Sequence, residues 1–182
     1  MAGEGTARPA EENLQRFLQD PSGRFLIILG DFGTGKTTLT RKLARDLGLR
    51  YLEDPLTSPA PLRIDLKDVG KALVLEEMLV NSLGKFGLSL SFQACQFLME
   101  EGRLIVIFDG FDEIVTADSA ERTRQNLREL TRTVGGASKT FLTSRPHHFR
   151  DRQETESLQG PPAGTALSRE IERGGFQIAY LR

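Results

Sequence analysis

Cysteine is almost missing from this sequence: Cys95 is the only one among 182 residues. That excludes a disulfide framework or a cysteine-built zinc site within one chain and fits a reducing compartment. Tryptophan is absent, and the only histidines are the adjacent His147 and His148. Neighbouring side chains of an extended segment point to opposite faces, and no third histidine completes a ligand set, so no metal site is expected at this pair. An excess of one charge is lacking too. The 24 Lys and Arg against 25 Asp and Glu leave a net charge of -1, with no bias toward nucleic acid or anionic lipid. No apolar run approaches the roughly 20 residues of a membrane span, and the opening "MAGEGTARPAEENLQ" has no apolar core of the signal-peptide kind. The expectation is a soluble, cytoplasmic chain without direct nucleic-acid or membrane partners. A chain of this length buries roughly 70% of its unfolded surface, enough for one stable core.

Five short apolar runs alternate with segments of helical period, the pattern of an α/β sheet. The runs are Arg24 to Leu29, Leu62 to Leu66, Arg103 to Phe108, Lys139 to Ser144 and Phe176 to Leu181. "RFLIIL" and "RLIVIF" are apolar nearly throughout, as strands covered on both faces of a parallel sheet should be. Helices are expected over Glu11 to Leu18, Thr37 to Leu47, about Gly70 to Phe86, Phe92 to Glu101 and Ala120 to Val134. The proline-bearing "GLRYLEDPLTSPAPL" and the stretch "ETESLQGPPAGTALSREIERGG" read as loops. A helical segment over 1–20 thus precedes a core over 21–182. Cys95 shares an apolar stripe with Phe92 and Met99 and reads as buried. Arg122, Arg124, Arg128 and Arg132 share their helix with Glu121 and Glu129 and read as a solvated face.

The chemistry begins at "GDFGTGKTTL". Gly30, Gly35, Lys36 and Thr37 occupy every fixed position of G-x-x-x-x-G-K-[ST], with Gly33 inside it. Glycines let the backbone wrap until its N–H groups point at phosphate oxygens, the helix beginning near Lys36 adds its positive end, and Lys36 reaches the outer phosphates. Thr37 offers a hydroxyl to Mg2+. The spacing is not G-x-G-x-x-G, so a dinucleotide site is excluded.

"LIVIFDGFDEI" supplies the acids. Asp109 ends a buried strand, where a Mg2+-supporting carboxylate belongs, and a lone carboxylate there must be paired or liganded. Asp112 and Glu113 follow in the turn, where one of them can orient or deprotonate a water facing a γ-phosphate. In "KTFLTSRPHHF", Arg145 follows a strand end, and it falls near the γ-phosphate if that strand lies between the first and third runs.

Together these three segments resemble the NACHT domain of the STAND class of signal-transducing P-loop ATPases. The resemblance runs from about Leu14 to Leu181, and "DGFDE" is its most specific part. It implies a three-layer α/β/α sandwich with a parallel five-stranded sheet in the order 2-3-4-1-5. It also implies that Gly30, Asp31, Phe32, Gly33, Thr34, Gly35, Lys36, Thr37 and Thr38 hold the phosphates of ATP or ADP. Thr37 and Asp109 would hold Mg2+, Asp112 and Glu113 would support hydrolysis, and Arg145 would read the γ-phosphate. The family uses ADP to hold a closed state and ATP to permit self-association, in innate immunity, cell death or defence against phage. Its members carry effector and sensor domains around the core. This sequence shows neither, nor the lid and winged-helix segments, so weak, fast-exchanging nucleotide binding is expected. Two other readings compete: a small P-loop nucleotide kinase, for which the loop "ETESLQGPPAGTALSREIERGG" offers only Arg169 and Arg173, and an interaction module that binds nucleotide without hydrolysis. A DNA-remodelling ATPase of the related AAA+ type is disfavoured by the near-zero net charge.

Overall fold

Strands form where the sequence offers apolar runs without helical period, and burial sorts them into central and edge positions. In the computed structural model, which describes residues 10–69, 73–114, 120–134, 136–146 and 176–181, β1 (Phe25–Gly30), β3 (Leu104–Asp109) and β4 (Thr140–Ser144) are buried at every position. β2 (Ala60–Asp65) alternates between more and less buried residues, and β5 (Gln177–Leu181) is largely accessible. All pairings are parallel, in the order β2-β3-β4-β1-β5, the order implied by the family likeness.

Two apolar clusters fix the layers. Leu26 and Ile28 of β1, Ile105 and Ile107 of β3, Phe141 and Ala179 face α1 (Ala10–Gln19) and α2 (Lys36–Glu53), packing with Leu14, Phe17, Leu43 and Leu47. The opposite face, with Ile27, Leu29, Leu62, Ile64, Val106 and Phe108, packs against α3 (Leu75–Gly84), α4 (Phe92–Glu100) and α5 (Ala120–Thr131). The result is a helix–sheet–helix sandwich. Cys95 lies in the second cluster, wholly buried, and desolvation raises its thiol pKa. On α5, Arg124 pairs with Glu121 and Arg132 with Glu129, each at 2.7 Å. Among the described residues no helix is long and apolar enough to cross a membrane.

Two boundaries differ from expectation. α2 does not stop at Leu47 but continues through Gly48 to Glu53. A glycine inside a helix costs only about 1 kcal/mol, Leu49 to Glu53 suit a helix, and the turn is made later, where Asp54 accepts from the N–H groups of Leu56 and Thr57. α3 begins at Leu75 rather than near Gly70, because α5 receives the amides ahead of it. Leu73 N–H donates to Asn126 Oδ1 at 3.1 Å and Leu75 N–H to Glu129 Oε2 at 3.4 Å. At its other end, α5 tightens into a 3-10 turn over Arg132–Val134. His147, His148 and the stretch from Glu154 to Gly175 lie outside the described residues.

α1 is tied to the sheet by Phe17. Its ring is fully buried, edge-on to Phe141 at 5.1 Å, with Lys139 Nζ 4.8 Å from the ring centroid. Just beyond α1, Asp20 accepts from Ser22 and from Gln177 of β5, hydrogen bonds that hold its carboxyl down at about 2. We expect Phe17→Ala to lower the unfolding free energy by about 3–5 kcal/mol in urea titration. An unchanged midpoint would show that α1 is an appendage and not part of the core.

Candidate functional site

The loop between β1 and α2 curves through two glycines. Gly33 has φ 79° and Gly35 φ 86°, left-handed values that L side chains rarely adopt, and a β-carbon on either would meet no described residue beyond its chain neighbours within 4 Å. Gly30 is needed for a different reason: a β-carbon there would meet Thr34 Oγ1 at 2.6 Å. Thr34 Oγ1 donates to Asp31 O at 2.8 Å, and Lys36 Nζ donates to the carbonyls of Gly30 at 2.7 Å and Asp31 at 3.0 Å. The ammonium is therefore folded back over the loop mouth. No side chain caps the amino end of α2, so its first N–H groups and the positive end of the helix dipole face the same concavity. Thr37 and Thr38 are exposed on the first turn, and Phe32 stands out at 86% exposure.

Asp109 closes β3 with a side chain only 3% exposed. Its Oδ1 accepts from Thr143 Oγ1 at 2.7 Å, and that hydroxyl in turn accepts from Gly110 N–H at 2.9 Å. Its Oδ2 accepts from Arg63 Nη2 at 2.5 Å. Arg63 also reaches α2, where its Nε donates to Thr40 Oγ1 at 3.2 Å, and it lies 3.5 Å from Asp65. Asp65 is the in-register neighbour of Asp109 across β2 and β3, and Lys67 stands 3.3 Å from it. One guanidinium thus joins two strands and the helix that follows the glycine loop.

Gly110, at φ 85°, turns the chain into a 3-10 turn over Phe111–Glu113, anchored by the fully buried Phe111. Asp112 is directed inward, its side chain 7% exposed, with Oδ2 2.7 Å from Arg145 Nε. This is an ion contact without an aligned hydrogen bond, and among the described residues Asp112 Oδ1 and Arg145 Nε are buried with no hydrogen-bond partner. The Arg145 guanidinium lies 5.6 Å over the ring of Phe32. Glu113 sits at the surface of the turn. Its carboxyl is pushed above the usual range by partial desolvation and by the carboxylates of Asp65, Asp112 and Asp109, against an opposing contribution from Lys67.

The glycine loop, Asp109, Asp112, Glu113 and Arg145 therefore meet along the carboxyl edge of the sheet, with Arg145 touching both the loop and the acidic turn. Sequence reasoning missed Arg63, Thr40, Asp65 and the role of Thr143. The signal for Arg63 and Asp65 was present: in "LRIDL" two opposite charges alternate with apolar residues, which puts both on one face of a strand. A magnesium nucleotide fits what is here. Lys36 folds over the glycine loop, Asp112 keeps one carboxylate oxygen without a hydrogen-bond partner among the described residues, and Asp109 offers one buried carboxylate. Among the described residues no three His, Cys, Asp or Glu side chains gather as a metal cage. Mg2+ binds through one or two carboxylates plus phosphate oxygens and water, and Asp109 is a carboxylate of that kind.

This chain is similar to several known proteins. A family model of the NACHT domain matches residues 24–175. An uncharacterized WD repeat-containing protein of Nostoc sp. is 34% identical over 150 residues, which cover 78% of this chain and 10% of that protein. The chain thus spans about a tenth of the length of the curated relative it matches. Among solved structures, the Aeropyrum pernix ORC2 protein in its ADPNP-ADP complexes is similar in fold, with a TM-score of 0.53 at 17% identity, covering 94% of this chain and 45% of that one. Drosophila ORC bound to DNA aligns with a TM-score of 0.48 at 16% identity, over 94% of this chain and 42% of that one. With the family model spanning β1 to β4 and every segment of the loop-and-acid edge, the chain belongs to the NACHT family and carries its nucleotide-binding NTPase core.

Proposed function

We propose that this chain binds Mg-ATP and Mg-ADP, hydrolyses ATP slowly, and uses the difference between the two as a conformational and oligomerisation switch in cytoplasmic signalling of the innate-immune, cell-death or anti-phage type. The observation that carries the reading is Arg145, which links the glycine loop through Phe32 to the acidic turn through Asp112. A residue so placed can register what the loop holds. The backbone from Gly30 to Thr38 cradles the phosphates, and Lys36 exchanges its two carbonyl partners for the outer ones. Thr37 and Asp109 would hold Mg2+, which when bound neutralises charge on the β- and γ-phosphates. Glu113, with its raised pKa, takes the proton of the attacking water, a better match to neutral pH than an ordinary carboxylate. Asp112 orients Arg145 toward the γ-phosphate. The WD repeats named for the Nostoc relative support placing such a core inside a larger multidomain protein.

Titration of a fluorescent ATP analogue tests the grip: Lys36→Ala weakens binding by about 10- to 100-fold, the loss of charge-assisted hydrogen bonds. Equal affinity in the variant would sink the assignment. For hydrolysis, Glu113→Gln slows phosphate release on the order of 100-fold while binding persists. Equal rates in variant and parent would remove Glu113 as the base, and no release above background from the parent would favour a nucleotide-stabilised module without chemistry.

Glu113 also makes a stability prediction. A carboxyl whose folded pKa is raised stabilises the fold fully below its unfolded value, and that contribution is lost as pH rises through the folded value. Glu113→Gln should therefore melt above the parent protein at pH 7. The gap should close as pH falls through about 4.5, the ordinary glutamate value. Thermal melting across this range gives the comparison, and a gap that widens toward acid would overturn it.

A further inference from the structure

The carboxylate expected to meet a divalent cation already faces a monovalent one. Both oxygens of Asp109 are engaged, Oδ1 by the Thr143 hydroxyl and Oδ2 by Arg63 at 2.5 Å. Arg63 is confined, with its side chain 19% exposed and Nε fixed on Thr40 of α2. It has a second carboxylate in reach, Asp65, 3.5 Å away and in register with Asp109. A small rotation of the guanidinium about that anchor exchanges one carboxylate for the other. Burying the Asp109 carboxylate without any cation would be costly, whereas two cations on one oxygen repel each other.

We propose that Arg63 is a resident counter-ion that competes with Mg2+ for Asp109, and that metal binding moves its guanidinium onto Asp65. The proposal rests on Asp109 being the metal carboxylate of the reading above. Arg63 is in this sense a positioning residue. It keeps Asp109 compensated when the nucleotide arrives without metal, lowers the affinity for Mg2+, and through Thr40 couples the exchange to the helix that carries Lys36 and Thr37. Thr40 Oγ1 donates to the carbonyl of Thr37 at 3.0 Å, so the anchor lies one hydrogen bond from the loop's own hydroxyl residue.

The test uses the full chain with a fluorescent ATP analogue and reads the Mg2+ concentration at the midpoint of the metal-dependent change in analogue binding. Arg63→Gln is expected to lower that midpoint about tenfold. Asp65→Asn, which removes the alternative resting place, is expected to raise it roughly threefold. In the Arg63→Gln background, Asp65→Asn should add nothing, because its effect runs through the guanidinium. A midpoint unmoved or raised by Arg63→Gln overturns the proposal, as does an Asp65→Asn shift of equal size in both backgrounds. Melting in EDTA checks that the variants fold. If Arg63→Gln does not fold, Asp65→Asn decides alone, a raised midpoint supporting the proposal and an unchanged or lowered one overturning it. Failure of the underlying reading looks different: Asp109→Asn then leaves the Mg2+ midpoint of the otherwise unchanged chain where it was, and the proposal falls with it.

Discussion

The structure turns on the burial of one carboxylate. Asp109 sits at the end of an all-apolar strand, and an unpaired charge there would cost several kcal/mol. Its partners come from both neighbouring strands: Thr143 from β4 on one side, Arg63 from β2 on the other. That is possible only because β3 lies between β2 and β4. Strand order and charge compensation are thus one constraint, and a different order would leave the acid without one of its partners. Arg63 extends the constraint to the helix layer by its bond to Thr40.

The same order opens a crevice beside that acid. The chain leaves β1 through α2 on one face of the sheet, while the helices that connect β2 to β3 and β3 to β4 cover the other. Where connections depart to opposite faces, a crevice forms outside the carboxyl ends of the strands. β1 and β4 are adjacent at this place, and Phe32 after β1 meets Arg145 after β4. The glycine loop then needs only its two left-handed residues and the close approach at Gly30 to wrap the mouth of the crevice.

What could be read from the sequence was local. Apolar runs located the five strands, the fixed spacing from Gly30 to Thr37 located the loop, and Asp109 announced itself as an acid ending a buried strand. What could not be read was set by distant partners. The start of α3 depends on Asn126 and Glu129, far along the chain. α2 persists past Gly48 alongside β2, where a β-carbon on that glycine would make no more than an ordinary contact, 3.8 Å from Pro61 Cγ. Arg63 illustrates the difference best. Its residue type and alternation were visible in "LRIDL", but only strand register sets it opposite Ile107 and brings Asp109 within its reach.

The last strand has a mechanical meaning. β5 runs parallel to β1 and ends with Leu181 opposite Gly30, so close that a β-carbon on that glycine would stand 3.2 Å from both the Cβ and the carbonyl oxygen of Leu181. The Gly30 carbonyl is in turn one of the two that hold the Lys36 ammonium. A displacement of the chain at Leu181, which also packs against the α1–α2 layer, would reach the lysine through Gly30 and its carbonyl. The last strand is thereby seated on the glycine loop as well as on the core.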